Sequence, residues 1–213
     1  MSRYTGPVCK LCRREQTKLF LKGERCLTPH CAMEREHRAF PPGQHGANVR
    51  RRATGFSIQL REKQKLRRIY GVTERVFRTY FNRASRQEGI TGDNFLCILE
   101  RRLDSVIYRL GFTTSRPAAR QLVAHGNITV DGRTVNIPSF LVKPGMTIEI
   151  RGKVVNNELI KQSLESARVR KVPTWLELDG EKPMGKVLTL PTRAEIPVEI
   201  NEKVIVEYYN RMG

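Results

Sequence analysis

The chain has 213 residues, with 39 Lys and Arg against 21 Asp and Glu, a formal net charge of +18 and a pI near 10.3. At 39% hydrophobic and 28% charged it has the composition of a globular protein, with room for one large domain or two small ones. No apolar run approaches the ~18 residues of a membrane span, and Met1-Ser2-Arg3-Tyr4 lacks the apolar core of a secretory signal, so a soluble cytoplasmic protein is expected. A charge this large repels itself in a compact fold unless a polyanion neutralises it; nucleic acid is the first candidate and an anionic membrane the second.

The excess is uneven. Residues 1–70 carry 17 basic and 5 acidic side chains, a net +12, whereas Val172–Gly213 carries 5 and 7. The N-terminal third therefore reads as the main phosphate-contacting surface and the C-terminal stretch as structural. A merely solvated basic surface is the plainer alternative.

Four of the five cysteines, Cys9, Cys12, Cys26 and Cys31, fall in the first 31 residues as C-x2-C and C-x4-C pairs. Each pair bends the chain so that two thiolates face one ion, and the intervening loop completes a tetrahedron, the pattern of a structural zinc site. The first 50 residues hold few large apolar groups, so a metal would supply stability that no core provides. The alternatives are reduced cysteines in a segment ordered only by its partner, or a disulfide or redox pair. His30 is a spare ligand; Cys97 lies in an apolar stretch and reads as core.

Pro41-Pro42-Gly43-Gln44-His45-Gly46 excludes helix and strand. It reads as an extended arm ending in the basic triplet Arg50-Arg51-Arg52, ordered on a phosphate backbone, or else as a plain linker. Ser57–Tyr70 is a very basic helix closed by Gly71, and a second helix starts at Thr73, with Val76, Phe77, Tyr80, Phe81 and Ala84 at three- and four-residue steps. These aromatics read as a core seam rather than base-stacking platforms. Near the C-terminus Asn201 caps a helix with the stripe Val204, Ile205, Tyr208 and Tyr209. Packing it on the helix pair makes the helical domain discontinuous.

Asp93 reads as the cap of a helix running through Leu96, Leu99, Leu103, Val106, Ile107 and Leu110 to Gly111. Ser115 caps the next, with Pro117 in its first turn, and that helix ends at Gly126. Arg116 and Arg120, four apart, share one face and should point two guanidinium forks outward, suited to phosphate. The period then switches to two: Ile128 and Val130, a turn at Asp131-Gly132, Arg133 and Val135, a turn at Lys143–Met146, and Thr147–Ile150.

Arg102-Leu103-Asp104, Tyr108–Phe112, Ser115-Arg116, Ala119–Val123 and His125–Gly132 resemble the small RNA-binding module named after ribosomal protein S-four, which also occurs in RNA-modifying enzymes and synthetases. Met1–Pro7, the cysteine cluster, Pro41–Gly46, Leu60–Lys65 and the segment from Asn201 to Tyr209 extend the resemblance over essentially the whole chain, to the bacterial ribosomal S-four family in its zinc-binding variant. Pro117 departs from it, where a basic or polar residue is expected.

The resemblance implies an α+β protein: a mainly helical discontinuous domain, a module of two helices followed by a small antiparallel sheet, and a zinc-knuckle extension. The expected boundaries are 1–45 for the knuckle and arm, 46–95 with 195–213 for the helical domain, and 96–194 for the module, its core about 102–165. The implied function is structural. Such a protein binds small-subunit ribosomal RNA at a multi-helix junction of the five-prime domain early in assembly. It lies in the cytoplasmic small subunit beside proteins S-five and S-three, near where messenger RNA enters, and sometimes represses its own messenger. Candidate RNA contacts are Arg50, Arg51, Arg52, Lys63, Lys65, Arg67, Arg68, Arg116 and Arg120, any of which could instead be a solvated charge. No membrane or small-molecule substrate is implied. An RNA-modifying enzyme would need a phosphate loop, His-Glu-x-x-His run or Gly-x-Ser-x-Gly elbow, and none is present. A zinc-dependent DNA-binding regulator is permitted by the cysteine spacing alone.

Overall fold

The computed structural model describes residues 4–48, 54–155, 158–169, 172–179 and 183–212. The triplet Arg50, Arg51 and Arg52 lies outside them. Two compact units are present: Met1–Gly92 with Glu199–Gly213, and Asp93–Val198.

The first unit is helical. Helix α1 (Cys9–Glu15) ends at Gln16 in a left-handed conformation. Cys12, Leu19 and Leu21 then bury together against Val8, Leu11, Met33 and Ile69. Helix α2 (Gly55–Ile69) starts two residues earlier than expected because Thr54 and Ser57 form a reciprocal capping box. Helix α3 (Glu74–Ala84) follows Thr73 and buries Phe77, Phe81 and Ala84. The C-terminal helix belongs to this unit and packs on α2, its first turn held by Asn201, whose Oδ1 accepts the Val204 N–H. Phe81 stacks on Tyr209 at 4.3 Å, so the aromatic seam is core.

Residues 41–48 are not an extended arm. They fold into consecutive turns and a short 3-10 segment, with Gly46 N–H donating to the Gly43 carbonyl. Arg13 Nε donates to the Phe40 carbonyl at 2.8 Å, pinning the segment to α1. The closing glycine has a steric reason: a Cβ on Gly46 would lie 1.8 Å from the Pro41 carbonyl oxygen.

In the second unit the helix expected from Asp93 to Gly111 is two helices. Helix α4 (Thr91–Glu100) starts two residues before Asp93, and α5 (Leu103–Arg109) follows a break at Arg101 and Arg102. The break is tertiary in origin. Arg102 is extended and bridges to Leu141, Leu103 N–H donates to Phe140 O, and Val142 N–H donates to Arg101 O. Helix α6 (Arg116–Ala124) is capped by the Ser115 hydroxyl, which accepts from Ala118 N–H.

Strands β1 (Ile128–Val130) and β2 (Arg133–Thr134) flank the turn Asp131-Gly132. Both turn residues have positive φ, 48° and 75°, as a type I′ hairpin demands. Strand β3 (Thr147–Ile150) comes next, then α7 (Gly152–Val155) and α8 (Glu158–Val169). Strands β4 (Leu176–Leu178) and β5 (Met184–Val187) complete an antiparallel sheet of order β2-β1-β3-β5-β4, and α9 (Glu202–Met212) is the C-terminal helix already placed on α2. The core between α5, α6 and the sheet includes fully buried Leu103, Leu110, Phe112, Ile148 and Val187. Gly185 lies against it, where a Cβ would meet Leu110 Cδ2 at 2.5 Å. Among the described residues no helix is long and apolar enough to cross a membrane.

Candidate nucleic-acid interface

Helix α1 carries Cys9 and Cys12, a 3-10 turn over Gly23–Leu27 carries Cys26, and Cys31 closes the next turn. Three of these free thiols are buried and Cys9 is half-buried. They form one electrostatic neighbourhood. Burial pushes the Cys12 thiol up, and the charges of Cys26, Cys9 and Cys31 add to that against a backbone hydrogen bond at Leu19; Cys26 is raised by burial and by Cys31 and Cys9. In kind, this donor set suits a soft tetrahedral cation. Among the described residues no three His, Cys, Asp or Glu side chains are grouped to hold a metal ion. Cys97 lies apart on α4, its thiol raised by burial.

The cysteine region is tied to α2 through one carboxylate. Glu15, with 1% of its side chain exposed, accepts from Arg68 and from Arg61 Nη1. Burial raises its pKa and the two arginines pull it down.

The cations expected to meet RNA from α2 are largely engaged inside the unit. Lys63 is the most deeply placed of them: it is 3% exposed, donates to Glu74 Oε1 at 2.6 Å and sits 4.8 Å from the Tyr208 ring centroid. It is a core clamp that its long stem allows. Lys65 donates to the Glu199 carbonyl at 2.8 Å, Arg67 Nε donates to Gln64 at 2.8 Å and lies 3.5 Å from Glu74, and Arg68 holds Glu15.

Arg116 and Arg120 differ from the expected outward direction. They do not project from α6; their side chains are 12% and 13% exposed and turn onto carboxylates. Arg116 Nη2 lies 3.3 Å from Glu100 Oε1 and Arg120 Nη1 lies 3.3 Å from Asp104 Oδ2. Both pairs are four residues apart on each side, so they form two rungs between α6 and the α4–α5 segment. A second arginine fixes each carboxylate with a fork: Arg109 reaches Glu100 at 2.9 and 2.6 Å, and Arg102 reaches Asp104 at 3.0 and 2.5 Å. The Arg116 guanidinium also covers the Tyr108 ring at 4.6 Å.

Several exposed cations that the sequence reading did not single out lie elsewhere. Arg133 is on the hairpin, Arg151 follows β3, and Arg75, Arg78, Arg83 and Arg86 line or follow α3. Sequence reading passed over the α3 arginines because it followed the aromatics on the opposite face; projecting the helix onto a wheel would have found them.

A basic helical unit followed by a two-helix-and-sheet module defines the class, a polyanion-binding protein. Two family profiles match: the ribosomal protein S4/S9 N-terminal domain over residues 3–100 and the S4 domain over residues 101–148. The chain is 56% identical over 211 residues to the small ribosomal subunit protein uS4 of Thermus thermophilus, covering 99% of this chain and 100% of that relative. It is 54% identical, at the same coverage, to the proteins so named in Pelotomaculum thermopropionicum and Geotalea daltonii. The chain belongs to the bacterial ribosomal protein uS4 family, which is structural and not enzymatic.

Proposed function

We propose that this protein is a structural constituent of the cytoplasmic small ribosomal subunit that binds small-subunit ribosomal RNA directly. The observation that carries the reading is full-length similarity, at 56% identity, to a protein named for that subunit, and the charge of +18 agrees with it. The RNA site is a multi-helix junction of the five-prime domain, bound early in assembly, beside proteins S-five and S-three and near where messenger RNA enters. Repression of its own messenger fits a protein that can bind an RNA resembling its ribosomal site.

The physical task is to hold a junction closed against phosphate repulsion. Arg50, Arg51 and Arg52, with part-exposed Lys65 and Arg67, neutralise phosphates. Lys63, Arg68, Arg116 and Arg120 act as internal struts that make the basic surface rigid. Recognition rests on RNA shape and phosphate position. The purified chain should bind a folded five-prime-domain fragment in the nanomolar range, resist duplex DNA competitor and lose affinity steeply with salt, log K falling by about 0.7–0.9 per phosphate neutralised for each decade of salt. Equal, weak binding to every polyanion would overturn the reading.

Cys9, Cys12, Cys26 and Cys31 are proposed to hold one structural zinc ion, which would cross-link α1 to the turns that follow it. Cys26→Ser or Cys9→Ser should lower bound zinc from one equivalent to near zero by elemental analysis and expose residues 4–48 to protease. Unchanged metal content with unchanged protease resistance would remove zinc from the account.

A further inference from the structure

Helix α3 has two unlike faces. Phe77 and Ala84 are fully buried and Phe81 is 6% exposed. At 3.6 residues per turn, Arg75, Arg78 and Arg83 fall within an arc of about 140° on the opposite side, and Arg86 follows in the turn two residues past the helix end. All four are exposed, and so are Thr79 and Asn82 between them. From Arg75 to Gln87 the chain has no Asp or Glu. Two acids flank the run: Glu74 takes Lys63 and Arg67 and accepts the Tyr209 hydroxyl hydrogen bond, and Glu88 follows Gln87 on the exposed turn after the helix. No ion pair among the described residues uses any of the four arginines.

This separates α3 from α2. The cations of α2 hold Glu15, Glu62 and Glu74, so much of their charge is neutralised within the unit. Among the described residues the α3 cations have no such ion-pair partners. They are guanidiniums, whose planar forks match phosphate oxygens, and the neutral residues between them do not repel an anion. From Arg75 to Arg83 the helical face runs about 12 Å at a rise of ~1.5 Å per residue, and Arg86 in the turn beyond extends it, enough to meet two or more successive phosphates.

We infer that the exposed face of α3 is a phosphate-backbone site of the helical unit, binding RNA without reading its sequence and supplying a large share of the chain's salt-dependent affinity. The inference rests on the reading that RNA is the partner. It adds to the cations before residue 71 a second electrostatic contact, on arginines outside both that basic stretch and the S4 module.

The test uses the full chain and a folded five-prime-domain fragment of small-subunit ribosomal RNA. The variant R75Q/R78Q/R83Q/R86Q should keep its helical circular dichroism and melting temperature, because all four side chains are exposed. With two or more phosphates no longer neutralised, its log K against log salt should flatten by about 2, and affinity at ~0.1 M salt should fall about 10- to 100-fold. Replacing the same four by lysine should restore most of the slope, since the charge is kept.

Failure of the wild-type chain to bind the fragment selectively would defeat the RNA reading itself. Selective wild-type binding with an unchanged slope in the glutamine variant would overturn this inference alone. A glutamine variant that binds RNA normally yet is lost from assembled subunits would also overturn it, assigning the face to an acidic protein neighbour.

Discussion

Glu100→Ala is expected to lower the unfolding free energy of the second unit by about 3–5 kcal/mol, the cost of removing one member of a buried ion pair. The carboxylate is 1% exposed and lies between Arg109 and Arg116, each 12% exposed. Removing it leaves both guanidiniums where they are while deleting the charge that offsets their lost hydration. Urea denaturation followed by circular dichroism measures the loss as a shifted midpoint at constant slope. Glu100→Gln keeps an acceptor but not the charge and should fall between alanine and wild type. Replacing the whole group with apolar residues, Glu100→Leu with Arg109→Met and Arg116→Met, should recover most of the loss, because the desolvation cost disappears with the charges. A loss under about 1 kcal/mol for Glu100→Ala would mean that the rungs between α4 and α6 do not hold the module together.

This group also shows where a reading of the sequence reaches its limit. Arg116 and Arg120 were expected to share a face, and the four-residue spacing does place them together. Their direction depends on Glu100 and Asp104, each 16 residues earlier, and helical period says nothing about that. Arg68 answers to Glu15 across 53 residues, and Lys63 to Glu74 across 11. Charge counting located the basic third of the chain but could not tell cations that hold the fold from cations left for a partner.

Local chemistry was legible. The Ser115 cap, the Asn201 cap and the Asp131-Gly132 turn each work within three or four residues, and all three are present. The helix from Asp93 to Gly111 was misread because what breaks it is the segment Pro138–Val142, some 40 residues on, which takes the backbone groups of Arg101, Leu103 and Asp104. An apolar period of 3.6 continues across that break, since both halves face the same core. The arm at residues 41–48 was misread for the opposite reason. Its glycines exclude helix and strand, but a chain of turns satisfies the same composition, and Arg13 and Gln16 on the α1 side select it through the Phe40 and Ala39 carbonyls.

Strands β4 and β5 left the weakest trace in the sequence, and they carry the second large effect. They are three and four residues long, and β5 contains Gly185, which β-propensity disfavours. The largest side chain packed beside them is Trp175. Trp175, the single tryptophan of the chain, is 1% exposed in the core cluster with Leu176 and Val187, and its carbonyl accepts the Leu188 N–H at 2.9 Å. Trp175→Ala removes a fully buried indole whose space the surrounding sheet cannot close, and should cost about 3–5 kcal/mol; Trp175→Phe should cost less, since most of the volume is kept. If β4 and β5 are integral to the module, the alanine variant will lose stability in one cooperative transition with the denaturant slope of the wild type, and amide exchange will accelerate in β1 and β3 along with β5. If they are an appendage, the transition midpoint of β1 and β3 will stay fixed while exchange rises only in residues 176–187. The register argues for the first outcome: β5 pairs Lys186 with Thr147 and Gly185 with Ile148 of β3, placing the late strand beside the centre of the sheet.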